Sequence, residues 1–390
     1  GHTLGLMHNY AASVNDNSSV MDYPHPAATL ASNGKIELTN AYDNKIGEWD
    51  KISITWGYQD FPKNINETEA LNAHLKTAGS MGYQFISDVD ARAPGGLHPQ
   101  AHLWDNGKNA VEELNRVMNI REKALQNFGL ANIQTGTPMS FLEDVLVPIY
   151  LFHRYQLEAA TKIIGGMHYN YALKGDGQVV TKPVAKTEEL KALNALLNAI
   201  DPEKLMLPQR IIDQIPPRPA GYDFNRELFT KRTGLSFDAL SPAETLTDFI
   251  FSFLFQTDRL NRIAQHGQTN NNLGLNEMVS SIINKTWKAP RQAGMQGLLQ
   301  MQNEQILLTY LLSASINDNT SYAAKAVLQK NLADLKALLE KAQKGTNNEM
   351  YAGHLLLAID SLKAPEKAKP TIHKAMPPGA PIGCFDESLN

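Results

Sequence analysis

His2 and His8 stand six residues apart in the opening stretch GHTLGLMHNYAASVNDNSSVMDY, with Gly5 midway between them. Imidazole nitrogens are common zinc ligands, and two of them at H-x-x-G-x-x-H spacing can meet at one ion only if the chain reverses between them. Glycine permits that reversal, because without a Cβ it adopts positive φ at little steric cost. Gly5 therefore reads as the turning residue, His2 as a ligand from a helical segment and His8 as a ligand on the returning chain. The bland alternative is a pair of solvated or capping histidines. Asn9, directly after His8, is placed to tie the returning loop down. Shortly after comes Ser19-Val20-Met21-Asp22-Tyr23, a compact segment that sets a methionine and a tyrosine close to the same region.

Taken together, H-x-x-G-x-x-H and S-V-M-D-Y resemble the second half of H-E-x-x-H-x-x-G-x-x-H and the Met-turn of a metzincin zinc site. The likeness continues through AYDNKIGEWDKISITWGY, SDVDARAPGGLHPQAHLWDNG, LMLPQRIIDQIPPRPAGYDFNRELFTKRTGLSFDAL and DRLNRI. Over most of its length the chain is similar to a large bacterial family of zinc-dependent metalloproteases with a long C-terminal region. The resemblance implies peptide-bond hydrolysis by zinc-activated water, a protein or peptide substrate, and an extracytoplasmic place of action. It makes His2 and His8 zinc ligands, Gly5 a structural support and Met21 an apolar floor beneath the ligands, where ordinary core packing is the alternative. It makes Tyr23 a hydrogen-bond donor to the developing oxyanion, against the alternative of a buried tyrosine with a structural partner.

Two departures stand out. Met7 occupies a position where many relatives carry a basic residue. Gly1 aligns with the second x of H-E-x-x-H, so the first histidine and the glutamate that would act as general base fall upstream of this sequence. With two ligands and no motif base, the expectation is that this chain holds Zn2+ weakly or not at all and is inactive by itself, as a truncated part of an active peptidase. The competing class is a non-catalytic helical binding or assembly protein that keeps a degenerate zinc site.

Composition excludes other classes. The 390 residues have a formal net charge of −4, and no basic stripe is interleaved with aromatics, so nucleic acid is not an expected partner. Cys384 is the only cysteine, which rules out an internal disulfide framework and a cysteine-rich zinc module. No apolar run reaches the ~18 residues of a membrane span. The oligomeric state is left open.

The elements that must position the site follow from periodicity and punctuation. The fold class is mainly α: the C-terminal portion of a metzincin catalytic domain over residues 1–130, then an α-helical accessory domain with one β-hairpin over residues 131–390. In the first part, Lys35 to Leu38 reads as a short strand and Ile46 to Tyr58 as a packed helix with Trp49 and Trp56 in the core. Asn64 to Lys76 is weakly helical, and Tyr83 to Val89 is a strand candidate. Asp88, Asp90, His98, His102 and Asp105 surround Pro94-Gly95-Gly96, a structural loop for which a second metal site of calcium type is the alternative. Asp105 reads as the N-cap of a helix ending at Phe128.

Beyond Gly129, Thr137-Pro138 opens a long helix that Pro148 must kink or split, and Gly165-Gly166 ends it. His153 on this helix reads as a packed histidine rather than a ligand. Tyr169 to Ala185 is a hairpin around Gly175-Asp176-Gly177. Helices follow at Thr187 to Ile200, Pro242 to Gln265, Leu275 to Trp287, Gln292 to Ser313, Tyr322 to Ala342 and Glu349 to Leu362. A proline-rich linker precedes Phe224, and Ala364 to Asn390 reads as extended.

Overall fold

A computed structural model describes residues 1–16, 18–91, 93–178, 180–269, 271–370 and 376–377 of the chain. Cys384 and most of the expected extended tail lie outside the described residues.

Short 3-10 turns at His2–Leu4, Ala12–Asn15 and Val20–Asp22 dominate the N-terminal stretch, which then forms a small antiparallel pair, β1 (Thr29–Leu30) and β2 (Ile36–Glu37). Three helices follow: α1 (Glu48–Tyr58), α2 (Glu67–Ser80) and the four-residue α3 (Asp88–Ala91). Next come α4 (Ala110–Asn127), α5 (Leu142–Tyr150) and α6 (Arg154–Ile163). A second antiparallel pair, β3 (Met167–Tyr169) and β4 (Thr181–Pro183), registers Met167 with Pro183 and Tyr169 with Thr181. The remainder is helical: α7 (Lys186–Ala199), α8 (Pro202–Leu205), α9 (Gln209–Ile212), α10 (Ser241–Leu254), α11 (Thr257–His266), α12 (Leu275–Lys285), α13 (Gly294–Ile316), α14 (Tyr322–Gly345) and α15 (Glu349–Ser361).

Two apolar cores organise these elements. The larger runs from the inner face of α4 through α5, α6 and α7 to α10 and the C-terminal helices, with Leu114, Leu146, Leu157, Leu193, Ile250, Leu308 and Leu328 fully buried. The helices are held by their apolar stripes, spaced three or four residues apart so that one face meets the neighbouring helix. The smaller core is built from Tyr10, Ala11, Ile86, Ala91, Ala101 and Leu103, with Tyr23, Trp104 and Tyr169 packed against it. It lies directly beneath the N-terminal histidines.

Buried cations stitch the smaller core to the larger. Lys162 of α6 donates to the carbonyls of Ala91 and of Ala101 (2.9 Å). Arg259 of α11 is fully buried and donates to Gly96 (3.2 Å), Ile164 (3.2 Å) and Phe253. Such charges leave water only where carbonyls replace their hydration. Burial accordingly pushes Lys162 down to about 8 and Arg259 down to about 9, against the pull of Glu158 and other nearby carboxylates.

Several sequence expectations are corrected. Residues 83–87 form no strand; they run irregularly into α3. Asn109, not Asp105, caps α4, its side-chain oxygen accepting from the amides of Val111 (2.9 Å) and Glu112 (3.2 Å), while Asp105 turns inward to Ser13. The single helix expected over Pro242 to Gln265 is two, broken at Phe255-Gln256, where Gln256 is extended (φ −55°, ψ 130°) and Arg259 caps the carbonyl of Phe253. Trp56 is half exposed rather than core, and the only buried residue of α1 is Asp50. The long helix after Thr137 is indeed split past Pro148 into α5 and α6.

Candidate metal centre

The histidine loop is built by local chemistry. The 3-10 turn His2–Leu4 stops at Gly5, which is left-handed (φ +72°), and its amide bonds back to the His2 carbonyl at 2.9 Å. The chain then returns so that His8 faces His2, their Nε2 atoms 3.0 Å apart. Asn9 locks this return. Its amide donates to Met21 (3.1 Å), its side chain donates to Gln84 (2.8 Å), and its side-chain oxygen accepts from Ile86 (3.1 Å).

The tautomers follow from the partners. His2 Nδ1 lies 3.1 Å from the Leu6 carbonyl, an acceptor only, so it carries the proton. His8 Nδ1 lies 2.8 and 2.9 Å from the two carboxylate oxygens of Asp88 and also carries a proton. In each neutral ring Nε2 is then the acceptor nitrogen, and the two Nε2 atoms face one another at a distance that one proton or a metal ion can bridge. The Tyr23 hydroxyl lies 3.2 Å from His2 Nε2. Ligands on a tetrahedral zinc at 2.0–2.1 Å stand about 3.3 Å apart, close to the spacing found. The donor set and its orientation therefore fit zinc, although among the described residues no three His, Cys, Asp or Glu side chains converge on one point.

Asp88 holds His8 as carboxylates hold metal-binding imidazoles elsewhere, fixing ring orientation and raising the basicity of the far nitrogen. Its partial burial works to raise its pKa, but the hydrogen bond and charge of His8 and the hydroxyls of Tyr10 and Ser87 prevail and hold it below the ordinary carboxylate value. The Tyr10 hydroxyl sits 3.1 Å from His8 Nδ1 and donates to Asp88 at 3.3 Å.

Beneath the histidines lies the segment Ser19–Tyr23. Met21 is buried, and a Cβ on Gly1 would stand 2.0 Å from its sulfur, so the thioether touches the backbone that begins the histidine turn. Tyr23 follows in the left-handed region (φ +54°). That is uncommon for an aromatic residue, and it turns the ring toward both imidazoles, 6.5 Å from His2 and 4.8 Å from His8 between centroids.

Asp50 clamps this segment from α1. It accepts from Ser19 Oγ (2.6 Å), the Val20 amide (3.1 Å) and the Gly47 amide (3.2 Å). Gly47 is pressed so close that a Cβ there would lie 2.0 Å from the Ser18 carbonyl oxygen.

Asp22, between Met21 and Tyr23, is buried beside Asp105. Ser13 bridges the two, its amide to Asp22 and its hydroxyl to Asp105 (3.2 Å). Burial and the neighbouring Asp105 push Asp22 well above the carboxylate range. Burial pushes Asp105 up to about 7 against the opposing charge of Lys162. The pair therefore retains a proton near neutrality.

The five residues considered for a second metal site disperse. Asp88 serves His8, Asp90 accepts from Tyr169 and Tyr171, and Asp105 faces Ser13. His98 packs edge-on against His168 and Tyr169, and His102 is buried 3.9 Å from Glu158. Their chain spacing brings them to one loop but points them to different partners. His153 is fully buried, with burial pushing its pKa well down. Asp50 and the Asp88–His8 pairing were missed in the sequence, because each acts across 30 to 80 residues of chain and carries no local spacing signal.

Among the described residues no helix is long and apolar enough to cross a membrane. A family model described as Met-zincin matches residues 1–294 of the chain. No curated protein matches it, and no solved structure does.

Proposed function

We propose, from the premise that this chain belongs to the Met-zincin family, that His2 and His8 are two ligands of a hydrolytic zinc and that the substrate is a protein or peptide. Family membership carries a metalloprotease-like function and zinc dependence in general. The observation that supports this particular site is the pair of Nε2 atoms 3.0 Å apart, with the Nδ1 of each ring facing an acceptor oxygen.

Zinc bound there supplies Lewis acidity, lowering the pKa of a water to about 7 and polarising a scissile carbonyl. The chain's own residues do the rest. Asp88 keeps His8 in the Nδ1–H form and shares any positive charge that develops on the ring. Tyr23 brings its hydroxyl to the edge of the histidine pair, where it can donate to an oxyanion. Met21 and Asp50 hold the floor that sets the Tyr23 backbone.

Among the described residues two imidazoles converge, fewer than the three protein ligands usual for a catalytic zinc. This chain alone then binds zinc below one equivalent and does not hydrolyse peptides. Zinc titration followed by dialysis tests the reading. Retention is expected below one equivalent in this chain, and it should vanish in His8→Ala. A chain extended through an intact His-Glu pair should retain one equivalent and cleave an unfolded protein in a chelator-sensitive way. Chelator-resistant cleavage, or zinc retention unaffected by His2→Ala and His8→Ala, would overturn the assignment.

A further inference from the structure

Asp90 stands two residues from Asp88 on α3 and receives the hydroxyls of two tyrosines, Tyr169 at 2.5 Å on one carboxylate oxygen and Tyr171 on the other. Tyr169 belongs to β3, and Tyr171 follows it into the β3–β4 hairpin. The Tyr171 hydroxyl also accepts from the Ser87 amide (3.2 Å), and Ser87 Oγ donates to Asp88 (3.3 Å). A continuous polar chain thus runs from the hairpin through Asp90, Ser87 and Asp88 to His8.

A helix of four residues has no stability of its own, since nucleation fixes several dihedrals for a single hydrogen bond. The direction in which α3 points Asp88 must therefore be set from outside. Beside the bonds that Asp88 makes with His8, Tyr10 and Ser87, two tyrosine bonds to Asp90 and the Lys162 bond to the Ala91 carbonyl anchor α3. Aromatic contacts follow the same line, with Trp49 of α1 stacked on Phe85 (6.0 Å) and Phe85 edge-on to Tyr171 (5.9 Å).

We propose that the β3–β4 hairpin is a positioning clamp for the metal centre: Tyr169 and Tyr171 hold Asp90, and through α3 they hold Asp88 in the orientation that fixes the tautomer of His8. The inference rests on the reading of His2 and His8 as zinc ligands, and it gives the hairpin a role in readying them. Bonds between hydroxyls and an ionised carboxylate are the stronger kind, and partners that orient a ligand typically change metal affinity by about 10–100-fold when removed.

The test is the ring-nitrogen NMR spectrum of His8 in the metal-free chain, read for wild type, Tyr169→Phe/Tyr171→Phe and Asp90→Asn. Wild type should show the proton on Nδ1. The double variant and Asp90→Asn should show a mixture containing the Nε2–H form, which an unrestrained imidazole prefers. Tyr310→Phe deletes a comparable bond, from Tyr310 to Asp248 at 3.0 Å, within the larger core. It should lower stability and leave His8 unchanged. Zinc affinity, measured by competition with a chromophoric chelator, should fall by about tenfold or more in the tyrosine variant. An unchanged His8 spectrum in both clamp variants would overturn the clamp. Zinc that left the wild-type His2 and His8 resonances unperturbed would overturn the metal reading instead, and the metal-free spectra would still decide the clamp.

Discussion

Replacing Asp105 by Asn removes one member of the buried carboxyl pair while keeping its shape, and the effect depends on pH in a direction the structure sets. Asp105 has its pKa pushed up to about 7 by burial, against an ordinary value of 3.8. A group whose folded pKa is raised binds its proton more tightly in the native state. Its stabilising contribution is complete below the unfolded value and is lost as pH rises through the folded value. The full shift corresponds to roughly 4 kcal/mol, of which about 2.5 kcal/mol is lost between pH 5 and pH 8. Asp22, raised by burial and by Asp105, acts in the same sense. Urea unfolding of wild type and Asp105→Asn at pH 5, 6, 7 and 8 isolates the contribution of the Asp22–Asp105 pair, because titrating groups away from it contribute equally to both proteins and cancel. The wild-type stability minus that of the variant should fall by about 2 kcal/mol from pH 5 to pH 8. A difference that stays constant, or that grows with pH, would refute the raised pair.

Further outcomes rest on the same geometry. Asp50→Ala strands three donors under the methionine segment and should cost about 3 kcal/mol in urea unfolding, with a loss below 1 kcal/mol showing that Ser19, Val20 and Gly47 find other acceptors. Gly47→Ala should destabilise by about 1–3 kcal/mol, through the clash with the Ser18 carbonyl alone, because its φ of −72° suits any residue. Among the described residues neither buried ring nitrogen of His153 has a hydrogen-bond partner, and burial depresses its pKa. Protonation of the unfolded chain therefore removes stability as pH falls below about 6.5, and His153→Leu should flatten that loss in thermal melts between pH 7 and pH 5. Trp56→Ser, on the exposed face of α1, should change stability by less than about 0.5 kcal/mol. Trp49→Ser, which removes the stack on Phe85, should cost more.

What the amino-acid order determined by itself is local. Seven residues with a glycine in the middle reverse the chain between two imidazoles, because the reversal starts from the positive φ of Gly5 and short-range backbone bonds. Apolar spacing of three and four residues marked the helices, and Pro148 marked the break between α5 and α6, because a missing amide acts within one turn. The Gly175-Asp176-Gly177 turn marked the hairpin, whose glycines both take positive φ.

Tertiary structure decided which side chain serves which. Asp88, Asp90, His98, His102 and Asp105 share one stretch of sequence, yet each has a different partner, from His8 to Tyr169 to Ser13, because packing against α6, α11 and the hairpin fixes their directions. Trp56 carries the same apolar signature as Trp49, but only Trp49 meets Phe85. The carboxylates that orient His8 and clamp the methionine segment come from 80 and 31 positions away. Spacing along a chain encodes only what one turn can reach; the choice among distant acceptors is made when burial removes water and each buried donor must find a protein partner.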